Sequence, residues 1–135
     1  MKIIQLMGFG LSLLGVYGAF AVSASNFSQV SVCPHILFVP VCYLVLLCYV
    51  LIAAAWVHMW GAKTSKLANV WQYLFASSSL IVLVLAALGS TGELLGITQC
   101  PVTDSGVAKC FFSLSIITSI LVLWWVSRKM NRNAH

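Results

Sequence analysis

The stretch "PVCYLVLLCYVLIAAAWVHMW", residues 40–60, decides what kind of molecule this is. It runs for 21 residues without one Asp, Glu, Lys or Arg. A helix needs about 20 mainly apolar residues to cross a hydrocarbon core roughly 30 Å thick. Three more such stretches flank it: "IIQLMGFGLSLLGVYGAFAV" at 3–22, "VWQYLFASSSLIVLVLAALG" at 70–89 and "FFSLSIITSILVLWWV" at 111–126. The last falls short of a full span and is expected to borrow residues from its flanks. The sequence therefore predicts an all-α integral membrane protein, a four-transmembrane-helix bundle.

Composition agrees. The 135 residues are 61% hydrophobic and 7% charged, and mean hydropathy is +1.04. Ordinary globular domains are about one quarter charged, so this chain lacks the charge to cover a water-facing surface. The lipid bilayer is its expected solvent, and its length suits a single domain, 1–135. The net charge of +5 does not suggest a nucleic-acid partner, because the basic residues form no stripe among aromatics and most lie beside apolar spans.

There they set orientation. Lys2, Lys63, Lys66, Arg128, Lys129 and Arg132 fall on one side of the four spans, and only Lys109 falls on the other, with Glu93 and Asp104. Cytoplasmic loops carry the Lys/Arg excess. Both termini and the 61–69 loop are thus expected in the cytoplasm, and the two longer loops on the periplasmic, lumenal or extracellular side. The first 25 residues also resemble a secretory signal, with Lys2, an apolar run and small residues near Ala24. The run is longer than the 7–15 residues of a signal core, so an uncleaved span is expected. Within it Gly8, Ser12, Gly15 and Ala19 share one helical face, the kind of small-residue seam through which membrane helices pack closely. Ser77, Ser78 and Ser79 are expected to bond back to their helix or to a neighbour.

The two outer loops echo each other. The first contains "CPHILFVPVCY" (33–43) and the second "CPVTDSGVAKCF" (100–111): Cys-Pro, a short loop, then Cys-aromatic opening a span. Trp56 and Trp124 each follow fourteen residues after the second cysteine. We read two parallel copies of a helix–Cys-loop–helix unit, about 1–60 and 68–127, followed by a cytoplasmic tail, 128–135. An inverted repeat of the transporter kind would enter with opposite orientation.

Cys33, Cys42, Cys100 and Cys110 then lie on the oxidising side, where disulfides persist. Spacing favours Cys33–Cys42 and Cys100–Cys110, while crossed pairs, Cys33–Cys100 or Cys42–Cys110, stay open. Cys48 is expected as a small buried hydrophobe. Staples are one role for these cysteines and thiol–disulfide exchange is another. Pro40 suits the first turn of the second span, which sets Cys42 near a helix N-terminus. Cys110 opens the fourth span beside Lys109. Both settings favour a reactive thiolate. Zinc or copper held by these four cysteines with His35 is disfavoured, since metal motifs place cysteines two to four residues apart. No metal is expected. His58 is expected at the inner interface.

Four spans with a cysteine pair in each of two exoplasmic loops resemble the layout of membrane thiol oxidoreductases, the disulfide-bond formation protein B and vitamin K epoxide reductase families. The resemblance is one of layout across most of the chain. It implies electron transfer from cysteines to a bound quinone, with Cys42 and Cys110 as exchange-competent thiols and Cys33 and Cys100 as their partners. Those families carry a Cys-x-x-Cys pair at a helix start, which this sequence lacks. A quinone pocket would draw on Tyr43, Phe111 and Phe112, on the cysteine side. Trp56, Trp60, Trp71, Trp124, Trp125 and Tyr73 are expected as an aromatic belt at the cytoplasmic interface.

The predicted spans contain no Asp, Glu, Lys or Arg, which argues against ion pumps and ion-coupled transporters, since these place charges within the membrane. The expected function is therefore that of a non-catalytic accessory or scaffold subunit, with other membrane subunits as partners and no cofactor. A quinone-linked thiol–disulfide oxidoreductase is the alternative.

Overall fold

The computed structural model describes residues 2–27, 35–36, 39–61, 66–97 and 109–134. Helix α1 spans Lys2–Phe27, α2 Val41–Gly61, α3 Lys66–Leu94 and α4 Lys109–Asn133. Strands β1 (His35–Ile36) and β2 (Val39–Pro40) form a small antiparallel ladder just before α2, pairing His35 with Pro40 and Ile36 with Val39. All four helices are long and apolar enough to cross a membrane. A helix is what such segments adopt in hydrocarbon, because it satisfies its backbone polar groups internally.

Helices α1, α3 and α4 outrun the apolar stretches that predicted them, and α2 matches its own to one residue. Lys66–Asn69, expected in a loop, open α3, and Arg128–Asn133, expected as a tail, continue α4. Ser90, Thr91 and Glu93, also expected in a loop, belong to α3. The apolar run marks only the part that suits hydrocarbon, and a helix continues until something stops it. For α3 the stop is Gly96, with φ +71°. The Ile97 amide donates to the Gly92 carbonyl at 2.9 Å and the Gly96 amide to the Glu93 carbonyl at 3.1 Å. These two bonds form a Schellman cap, which needs the left-handed backbone that glycine adopts without steric cost. At about 1.5 Å per residue, the 29 residues of α3 would reach through both headgroup layers of a bilayer as well as its core.

Pro40 is not in the first turn of α2. It closes β2, and the helix opens one residue later, at Val41. The residue before a proline is pushed toward extended backbone, which suits Val39 to the ladder.

The helices form a closed ring in which α1 adjoins α2, α2 adjoins α3, α3 adjoins α4, and α4 returns to α1. The contacts fix their directions. Gly8 faces Trp56 and Gly15 faces Tyr49. Trp56 meets Phe75, and His58 stacks on Trp71. Phe75 meets Trp124, and Arg128 donates to Gln72. In every pair the numbers rise along one helix and fall along the other, so ring neighbours are antiparallel and α2 and α4 are parallel. One end of the bundle therefore collects the starts of α1 and α3 and the ends of α2 and α4. It carries Lys2, Lys66, Arg128, Lys129 and Arg132. The opposite end carries Cys42, Cys110 and Glu93.

Cys48, Tyr49, Ile52, Ala55, Trp56, Phe75, Val82, Ile117 and Ile120 form the core. Trp56 is thus not part of an interfacial belt. It is 4% exposed and packs edge-on against Phe75 (5.8 Å between centroids, 86°), while the Phe75 and Trp124 ring centroids lie 5.5 Å apart at 33°. Such edge-to-face and tilted arrangements suit the ring quadrupoles. Trp60, Tyr73 and Trp125 do face outward, as do Leu6, Leu14, Tyr17, Leu80, Leu88 and Phe112.

The small-residue face of α1 is the seam against α2. Gly8, Ser12, Gly15 and Ser23 are buried, and Ala19 packs on the core. The serines satisfy their hydroxyls within the helix, Ser12 donating to the Gly8 carbonyl and Ser23 to the Ala19 carbonyl, both at 2.8 Å. A Cβ on Gly8 would lie 2.5 Å from Trp56 Cζ2, and one on Gly15 would overlap Tyr49 Cδ1 and Cε1. On α3, Ser77 donates to the Leu74 carbonyl at 3.2 Å. The expectation that Ser79 also bonds is not met, because its buried hydroxyl has no partner.

These close approaches yield a sharp contrast. Replacing an exposed helical glycine by alanine gains up to about 1 kcal/mol of helix propensity, whereas overpacking a tight core costs about 1–3 kcal/mol. Gly15→Ala and Gly8→Ala should therefore lower thermal stability in detergent. Gly10→Ala and Gly18→Ala, with open space around them, should leave it unchanged or raised.

Candidate functional site at the cysteine end

Cys42 is the second residue of α2 and Cys110 the second of α4. Since α2 and α4 run the same way, both cysteines sit at one end of the bundle, each in the first turn of its helix. Further along these helices, Tyr49 ties α2 to α4. This side chain is 1% exposed, and its hydroxyl lies 3.2 Å from the Ser113 carbonyl and 3.0 Å from Ser113 Oγ. The bond crosses the bundle from α2 to α4, joining helices that are not ring neighbours. A buried Tyr hydroxyl needs such a partner, because an unpaired one costs about 1–3 kcal/mol.

Cys42 and Cys110 each have a partner, and Cys48 is the free cysteine among the described residues. Cys48 is buried beside Tyr49 in the core, as its apolar context predicted. His35 lies in β1, opposite Pro40. Cys33 and Cys100 fall outside the described residues, as do Lys63 and Asp104. No group of three or more His, Cys, Asp or Glu lies together among the described residues.

The aromatics assigned to a quinone pocket divide. Tyr43 and Phe112 face outward, while Phe111 is half-buried. His58 is exposed and stacks on Trp71, with centroids 4.2 Å apart and planes at 12°.

Sequence reasoning missed three residues that organise the bundle: Tyr49, Phe75 and Gln72. Tyr49 had a signal, since a tyrosine in mid-span must find a hydrogen-bond partner. Phe75 had none that separates it from other apolar residues of its helix. Gln72, half-buried, accepts from Arg128 Nη2 at 3.0 Å, a pairing that only helix–helix register reveals.

No family model, curated protein or solved structure matches this chain.

The Tyr49–Ser113 bridge can be measured directly. Tyr49→Phe should destabilise by about 1 kcal/mol, the net worth of one such bond. Because the carbonyl also accepts, Ser113→Ala should cost less, and the two changes should be non-additive in a double-mutant cycle of thermal unfolding in detergent.

Proposed function

We propose that the chain is a small polytopic membrane protein acting as a non-catalytic accessory or scaffold subunit of a membrane complex. Both termini are cytoplasmic, and two disulfide-stapled loops cap the opposite face. The observation that carries this reading is the use made of the interior. Tyr49, Trp56, Phe75, Ile117 and Ile120 fill it with one another, and the Tyr49 hydroxyl is spent on holding α2 to α4.

The orientation rests on charge. Five basic residues gather at one end of the bundle, the arrangement expected of a cytoplasmic face. The stapled loops rest on the expected exoplasmic side of the cysteines, where disulfides persist, and on Cys42 and Cys110 each having a partner. The nine-residue spacing of Cys33 and Cys42 favours pairing within the first loop. The second loop, Cys100 to Cys110, follows by its likeness to the first, and the two units make a parallel repeat. Closing a loop of about ten residues is worth roughly 2.5–3 kcal/mol in the chain-entropy model, enough to hold a loop against the helix ends.

A second reading is favoured by one feature. Cys42 and Cys110 each occupy a helix's first turn at the same end of the bundle, where the helix dipole would favour a thiolate once either bond opened. That is the setting for a quinone-linked thiol–disulfide oxidoreductase.

Two measurements separate these readings. Membranes equilibrated at graded potentials and trapped with an impermeant maleimide should show both pairs oxidised down to about −300 mV, the behaviour of structural disulfides. Titration at a higher potential, or mixed disulfides captured by Cys42→Ser or Cys110→Ser, would transfer the assignment to the redox reading. Purification in mild detergent should yield a defined assembly larger than the chain. A lone monomer at native expression level would remove the subunit reading.

A further inference from the structure

We infer that the groove between α3 and α4 at the basic end of the bundle binds the phosphate headgroup of an anionic phospholipid. The inference rests on membrane insertion of the four helices, and it is independent of the subunit and redox readings. Asn69, Gln72, Tyr73, Ala76, Trp124 and Arg128 line the groove, whose volume is about 360 Å³.

Its chemistry is one-sided. Arg128 carries five N–H donors and no acceptor. One of its nitrogens, Nη2, donates to Gln72 Oε1 at 3.0 Å, and its guanidinium carbon lies 4.8 Å from the centre of the Trp124 ring. These two contacts hold the guanidinium across the groove while leaving donors to spare. Gln72 contributes its carbonyl oxygen to that bond, so what it offers the groove is its amide NH₂. Asn69 and Tyr73 add an amide and a hydroxyl. The lining is thus rich in donors around a fixed planar cation, the arrangement that recognises phosphate.

Among the described residues no acidic side chain competes for this cation. Glu93, the acidic residue among them, closes α3 at the opposite end. Lys129, by contrast, turns toward the exposed Trp125, 5.3 Å from its ring centre, and does not line the groove. One turn deeper, the exposed Ala76 and then Leu80 of α3 continue the surface as an apolar track. A free anion would make no use of this track, whereas an acyl chain would lie along it. Basic sites between membrane helices on the cytoplasmic side suit anionic headgroups in this way.

The test is native mass spectrometry of the intact chain, released from micelles doped with phosphatidylglycerol or phosphatidylcholine. The wild type should retain phosphatidylglycerol in preference to phosphatidylcholine. A basic residue merely near an anionic surface contributes about a fivefold effect. Arg132→Gln, outside the groove, should therefore stay within about fivefold of wild type, and Arg128→Gln should exceed it. The deciding variant is Gln72→Leu, which leaves net charge unchanged but releases the guanidinium. It should lower retention several-fold, and Arg128→Lys, which keeps the charge but not the planar fork, should lower it as well. Should Arg128→Gln not fold, Gln72→Leu and Asn69→Leu carry the same comparison. Equal retention of the two lipids by wild type would overturn the inference. So would losses that follow net charge alone, with Gln72→Leu like wild type and Arg128→Gln like Arg132→Gln.

Discussion

How closely α1 approaches α2 depends on two positions that have no Cβ. Gly8 receives the Trp56 ring and Gly15 the Tyr49 ring, each nearer than any side chain on α1 would permit. Between apolar helices in a lipid solvent, burial of hydrocarbon provides little drive, since the tails are as apolar as leucine. Association then rests on close contact and on interhelical hydrogen bonds. The two glycines allow the contact on one side of α2. With its rings seated there, Tyr49 reaches Ser113 on α4, and Trp56 reaches Phe75 on α3. One helix thus joins all three others, and α2 is the post around which the bundle is built.

This explains an asymmetry between two helical hairpins with similar loops. The α1–α2 pair meets glycine to aromatic ring. The α3–α4 pair meets ring to ring, at Phe75 and Trp124, and through the polar contact of Gln72 with Arg128. The first seam is closed and apolar. The second leaves a groove at its basic end, lined by Gln72, Trp124 and Arg128 among others. Similar cysteine spacings in the sequence therefore do not imply similar packing, and the two hairpins present different surfaces.

Much of the fold was legible from the residues alone. The four helices follow from apolar runs of membrane length, and the α1 seam follows from Gly8, Ser12, Gly15 and Ala19 on one face. Their boundaries were less legible. Hydropathy marks where a helix suits hydrocarbon, while its end is set by local chemistry such as the Gly96 cap, which lies beyond the apolar run. Pro40 was misplaced for a similar reason: proline fits both a helix's first turn and a ladder's last residue, and only the pairing with His35 decides between them. Trp56 was taken for an interfacial anchor because position along a helix sets depth. Whether a tryptophan at that depth faces lipid or the core depends on rotation about the helix axis, which neighbouring helices determine.

The sequence by itself determined the number and apolar length of the helices, the segregation of most basic residues from the cysteines and the small-residue face of α1. Each of these follows from composition and from the 3.6-residue period, which are properties of one segment at a time. The tertiary structure decided the order of the ring, the parallel course of α2 and α4 that brings Cys42 and Cys110 to one end, the Tyr49–Ser113 bridge and the Arg128–Gln72 groove. These are relations between segments far apart in sequence. They depend on the relative height and rotation of packed helices, which side-chain volumes settle only once the helices are in contact.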